Sequence, residues 1–166
     1  GQKKVPLCKP FTICTTDGYI VDMLGPYYAN QNDATIMRDI IDNPDGICLL
    51  LEPGDAFVVD RGFCDVKEYL ESKNYKVLMP ALKEKRNQLT TAESNASRYV
   101  TKLRWSVKAT HGMLKQKYHL LDQRIDNKML PRIGNFFKIV SFLHNMYSKR
   151  LTSDSEILDE VVETMK

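Results

Sequence analysis

Arg104, Lys108, His111 and Lys115 follow one another at intervals of 4, 3 and 4 residues, a spacing that sets them on one face of a helix. A row of cationic side chains can neutralise successive phosphates of a polyanion. The same row also fits a solvated face opposite Leu103, Val107 and Leu114, and the residues alone leave both readings open. Charge is concentrated in the same region. Residues 67–132 carry 15 Lys and Arg against 6 Asp and Glu, a net of +9, whereas residues 1–66 carry 5 against 10 and residues 133–166 carry 4 against 5. A basic block of that size suits nucleic acid, and DNA above all.

A second candidate is a single carboxylate. Asp60 closes the apolar run Ala56-Phe57-Val58-Val59 and precedes Arg61-Gly62. At the end of a strand it could ligate a cation, or it could cap the turn before Gly62, which is the simpler reading of the residues by themselves. Cys8, Cys14, Cys48 and Cys64 contain no C-x-x-C pair and have no close His, so they read as buried free thiols of a reducing compartment rather than zinc ligands. His111, His119 and His144 likewise lack metal-site spacing.

The elements that must position these groups can be read in order. Residues 9–26 predict a β-hairpin with Phe11, Ile13, Tyr19, Val21 and Met23 in two β-prone runs, an Asp17-Gly18 tight turn between them, and Gly25-Pro26 ending the second strand. Asn32 or Asp33 caps a helix with Ile36, Met37, Ile40 and Ile41 at helical spacing, broken at Asn43-Pro44-Asp45-Gly46. A short, buried central strand follows over 56–60, then an amphipathic helix over 65–73 and a strand over 75–79. A polar stretch over 83–95 leads to a long helix from Ser97 to about Leu121, with Val100, Leu103, Val107 and Leu114 inward. Trp105 is expected to pack inward as well. Pro131 starts a last apolar helix through Phe136, Phe137, Val140, Leu143 and Tyr147, and residues 153–166 predict a short acidic helix with Ile157, Leu158, Val161 and Val162 inward. No apolar stretch approaches a membrane span, so the chain reads as soluble.

This order matches a ribonuclease-H-like α/β core with its first strand removed, followed by C-terminal helices. Thr15-Thr16-Asp17-Gly18-Tyr19-Ile20, Gly25-Pro26-Tyr27, Asn32-Asp33-Ala34, Gly54-Asp55 and Val59-Asp60-Arg61-Gly62-Phe63 resemble successive blocks of DDE-superfamily endonucleases of the Harbinger-like transposase type. Asn95-Ala96-Ser97-Arg98, Thr101-Lys102-Leu103-Arg104-Trp105, His111-Gly112-Met113-Leu114-Lys115 and Pro131-Arg132-Ile133-Gly134 continue the series. The resemblance covers residues 5–150, which implies an N-terminally truncated transposase-type domain over 1–150 and an acidic helical tail over 151–166.

In that family three acids hold two divalent ions, Mg²⁺ or Mn²⁺, for phosphoryl displacement on DNA. The resemblance gives Asp60 the role of second acid and metal ligand. It places the first Asp on a strand before this chain begins, and puts Lys108 where the third acid is expected. An ammonium cannot ligate a cation. The implied protein is therefore a transposase-derived nuclear domain, with inactive cleavage chemistry and retained DNA binding. Arg61, Arg98, Lys102, Arg104, Lys108, His111 and Lys115 would line the DNA, and no membrane or small-molecule substrate is implied. Lys108 would either reach Asp60 in place of the lost ion or point into solvent. The alternatives are a working nuclease that recruits another acid, with Glu93 the nearest upstream, and a protein-interaction module, with a protein partner or self-association, on a relic transposase fold.

Overall fold

A computed structural model describes residues 8–81 and 88–151. The expected polar stretch over 83–95 lies partly outside these residues, and the acidic tail lies outside them apart from Leu151. The chain divides into two compact units, one containing residues 8–9, 27–81 and 88–105, the other residues 10–26 and 106–151. Among the described residues the strands form two separate two-stranded sheets. No described helix is long and apolar enough to cross a membrane.

The hairpin forms from β1, Cys8–Cys14, and β2, Ile20–Tyr28. Its turn is longer than the two residues expected. Gly18 N–H donates to Thr15 C=O at 3.0 Å and Thr15 N–H to Tyr19 C=O at 2.9 Å. Gly18 has φ +86°, whereas Asp17 is not among the residues with positive φ. A three-residue loop ending in a left-handed glycine satisfies the same chain reversal. The Gly25-Pro26 pair, expected to end the strand, lies inside β2 with a cis peptide bond between them.

In the first unit, α1, Asp33–Asp42, is capped by Asn32, whose side chain accepts from Ala34 N–H at 2.9 Å. Its apolar stripe buries Ala34, Ile36, Met37, Ile40 and Ile41 and packs on the 3-10 turn Arg61–Val66. Asp33, the other capping candidate, pairs with Lys9 Nζ instead. Strands β3, Ala56–Val58, and β4, Lys76–Leu78, run parallel with Phe57 opposite Val77. Parallel neighbours require a crossover, supplied here by the 3-10 turn and α2, Lys67–Ser72, which bury Val66 and Leu70. Both strands are shorter than expected, and Ala56 is exposed rather than buried.

The long helix α3, Thr91–Lys117, begins six residues before the expected start and ends four before the expected finish. Thr90 N–H donates to Glu93 Oε2 at 2.9 Å and Glu93 N–H to Thr90 Oγ1 at 3.2 Å, a reciprocal capping box that satisfies two otherwise orphaned donors. In the second unit, α4, Ile133–Tyr147, follows a 3-10 turn over Asn127–Arg132 that contains Pro131. Ile20, Met23, Leu114, Ile133, Phe137 and Val140 form the core there. Tyr147, the last residue of α4, is 75% exposed.

None of the four cysteines is fully buried, and all are free: Cys8 and Cys64 are exposed, while Cys14 and Cys48 are partly covered. Burial, reinforced by Asp17, pushes the Cys14 thiol up to about 11.

Candidate nucleic-acid groove and the Asp60 cleft

Asp60 follows β3 and begins the 3-10 turn. Its Oδ1 accepts from Gly62 N–H at 2.8 Å, and its backbone carbonyl accepts from Phe63 N–H at 3.1 Å. The turn-cap reading of this carboxylate therefore holds in the structure. A Cβ at Gly62 would sit 2.9 Å from Asp60 Oδ1, so a larger residue there would require the carboxylate to shift.

The second carboxylate oxygen is also engaged. Arg104 Nη2 donates to Asp60 Oδ2 at 2.9 Å, with side-chain exposures of 23% for Arg104 and 46% for Asp60. The cation that meets Asp60 is thus Arg104, one helical turn before the Lys108 that the sequence suggested. Helix phase accounts for the difference, since positions four apart share a face and only their height along the axis distinguishes them. Lys108 itself is exposed. Asp60, Arg61, Gly62, Pro80, Thr101 and Arg104 enclose a cleft of about 290 Å³.

A larger groove of about 620 Å³ adjoins it, sharing Arg61, Pro80 and Thr101. One of its walls is a stripe of α3 made of Ser94, Arg98, Lys102 and Trp105, with Ser97 and Thr101 between them. Ser97 Oγ accepts from Ala81 N–H at 2.9 Å, and Arg61 Nη2 donates to Ala81 C=O at 2.9 Å. Both walls are therefore tied to the segment after β4. Trp105 is 60% exposed, not packed inward. The signal was present in the helix phase: at 3.6 residues per turn, Trp105 falls opposite Val100, Leu103, Val107 and Leu114.

Of the expected DNA-facing residues, Arg61, Arg98, Lys102 and Arg104 come together in the first unit. Lys108, His111 and Lys115 lie on the stretch of α3 that belongs to the second unit. Burial, with Lys115 next in effect, lowers the His111 pKa. At neutral pH it is an uncharged imidazole and adds no charge to the row.

Among the described residues, no three His, Cys, Asp or Glu side chains come together in a way that could hold a metal ion. The donor set around Asp60 does not fit a divalent ion either. Both oxygens serve protein donors, and the nearest charged partner is a guanidinium, which has no lone pair to offer. Glu93, the acid considered as a substitute ligand, is spent on the Thr90 capping box.

A family model described as DDE superfamily endonuclease matches residues 3–145. No curated protein and no solved structure matches the chain.

Proposed function

We propose that this chain, which belongs to the DDE superfamily endonucleases, is a Harbinger-like, transposase-derived domain that binds DNA without cutting it. Enzymes of this family generally depend on a divalent metal and act on DNA. The observation that carries the reading is the Asp60 carboxylate, whose two oxygens accept from Gly62 N–H and Arg104 in the cleft that adjoins a basic groove. In-line displacement at a phosphate by two metals needs carboxylates that converge on cations. Here the carboxylate at the strand end converges on a cation of the protein's own, and by resemblance Lys108 occupies the position of the third acid. What the groove can do is hold phosphates. Arg61, Arg98 and Lys102 supply charge without an acidic residue among its described lining, and Lys108 and Lys115 extend the supply along α3. The parallel β3–α2–β4 crossover is consistent with a ribonuclease-H-like core. A DNA ligand implies a nuclear location.

Titration of a labelled duplex at increasing salt, alongside a supercoiled-plasmid nicking assay in Mg²⁺ and Mn²⁺, tests the reading. Binding should weaken steeply with salt, fall further in an Arg98→Glu, Lys102→Glu variant, and occur without nicking. Metal-dependent nicking that disappears in Asp60→Ala would overturn the inactive assignment, and unchanged affinity on charge reversal would overturn the groove.

One observation favours a protein-interaction module as the competing reading. Ile139, Phe142 and Met146, spaced 3 and 4 apart on α4, are 53%, 63% and 62% exposed. Concentration-dependent self-association with no duplex binding at low salt would favour that reading.

A further inference from the structure

The groove beside Asp60 differs from a plain basic face in holding an aromatic ring. Lysines and arginines alone would track phosphates and treat every nucleic acid alike. Trp105 is 60% exposed on the same stripe of α3 as Ser94, Arg98 and Lys102, and leaving so large an apolar surface in water has a cost that a ligand would relieve. The geometry points to a site for single-stranded nucleic acid in this groove, with the Trp105 indole stacking on an unpaired base while Arg61, Arg98 and Lys102 hold the flanking phosphates. The inference rests on the DNA-binding reading and adds to it the strand state of the ligand.

Three features argue for a single strand. A base inside a duplex has both faces covered by its neighbours, so an indole can stack only on a base that is unpaired or turned out. The groove, at about 620 Å³, has the size of clefts that take compact organic ligands, which suits a base with its sugar and phosphate. Its polar lining is hydroxyl and cationic, from Ser94, Ser97, Thr101, Arg61, Arg98 and Lys102. Hydroxyl and cationic donors can meet phosphate and sugar oxygens, contacts that carry no sequence information. Arg61 is held in place by its hydrogen bond to Ala81 C=O at 2.9 Å. That bond takes one of its five N–H donors and leaves the fork positioned for a phosphate.

Trp105 is the only tryptophan in the chain, so its fluorescence reports on this site alone. The whole chain would be titrated at one fixed low salt concentration with a thymidine oligonucleotide, with an abasic oligonucleotide of the same length, with a duplex of that length and with poly-glutamate. The expected result is saturable quenching by the thymidine strand, with affinity about tenfold above that for the abasic strand. Trp105→Ala should remove that tenfold advantage, and Trp105→Phe should restore most of it. Because Trp105 is exposed, both variants should keep the far-ultraviolet circular dichroism of the parent. Equal affinity for thymidine and abasic strands overturns the stacking site while leaving DNA binding standing. Binding of no nucleic acid of any kind overturns both readings. Quenching by poly-glutamate as strong as by the thymidine strand replaces the nucleic acid with an acidic peptide.

Discussion

The groove wall of α3 and the hairpin–α4 core are built on opposite terms, although one helix contributes to both. In the second unit Leu114 turns inward to meet Ile20, Met23, Ile133, Phe137 and Val140, with exposures between 0% and 6%. In the first unit Arg98, Lys102 and Trp105, on one face of α3, are exposed. Burial of apolar area and close packing supply the stability of the first kind of surface. A binding surface of the second kind must keep its polar groups uncommitted until a ligand arrives. Substitutions in the core should therefore hurt folding, and substitutions on the groove face should hurt only binding.

The largest effect should come from hollowing the core. Phe137→Ala removes a side chain that is 3% exposed and should cost about 3–5 kcal/mol by urea unfolding. Trp105→Ala, the corresponding truncation in the groove, should stay within about 0.5 kcal/mol of the parent. A Trp105→Ala loss as large as that of Phe137→Ala would erase the distinction. A smaller loss is expected at Asn145, whose side-chain amide accepts from Ile20 N–H at 3.0 Å and donates to Ile20 C=O at 2.8 Å. The amide thereby does for β2 what a neighbouring strand would do. Asn145→Ala leaves both backbone groups without that partner and should cost about 1–3 kcal/mol.

How much of this was legible in the sequence depends on the range of the interaction that decides it. The stripe of α1 is local, and its periodicity gave the buried set correctly; the choice between Asn32 and Asp33 as cap required knowing that Lys9 would claim Asp33. The early start of α3 was encoded in Thr90-x-x-Glu93, a capping signature that a polar neighbourhood disguised as loop. The geometry gives Asp60 a capping role and an ion pair. Its partner, 44 residues away, depended on the height of α3 beside the strand end, which no local pattern fixes. Trp105 was misjudged from a general preference of aromatics for cores, against the helix phase that placed it outside.

A smaller, pH-dependent difference should appear in the second unit. His144, 3% exposed on α4, has its pKa lowered first by burial and then by Lys117, with Ser148 Oγ 3.0 Å from its Nδ1. The unfolded chain takes up this proton as pH falls below about 6.5, while the folded chain resists it, so protonation favours unfolding. Stability should therefore hold above about pH 6.5 and decline below it, and His111, shifted the same way by burial, adds to the decline. His144→Gln should flatten the slope of unfolding free energy against pH. A parent protein whose stability rises on acidification through this range would contradict the assignment of a buried neutral imidazole.

The smallest effect should be found at the pair that dominates the functional argument. Asp60 and Arg104 meet at 2.9 Å, but the carboxylate is 46% exposed, and pairs so open to water couple by about 0.2–1 kcal/mol. A double-mutant cycle with Asp60→Asn and Arg104→Met should return a value in that range, decreasing with added salt. Asn is the informative replacement because its side-chain oxygen can still accept from Gly62 N–H, so the cycle isolates the charge. Asp60→Ala removes the cap as well and should cost about 1 kcal/mol more. Gly62→Ala attacks the same cap from the other side, since its Cβ would come within 2.9 Å of Asp60 Oδ1 and push the carboxylate off the turn. If the cycle instead returned several kcal/mol, insensitive to salt, the pair would be behaving as a desolvated core contact.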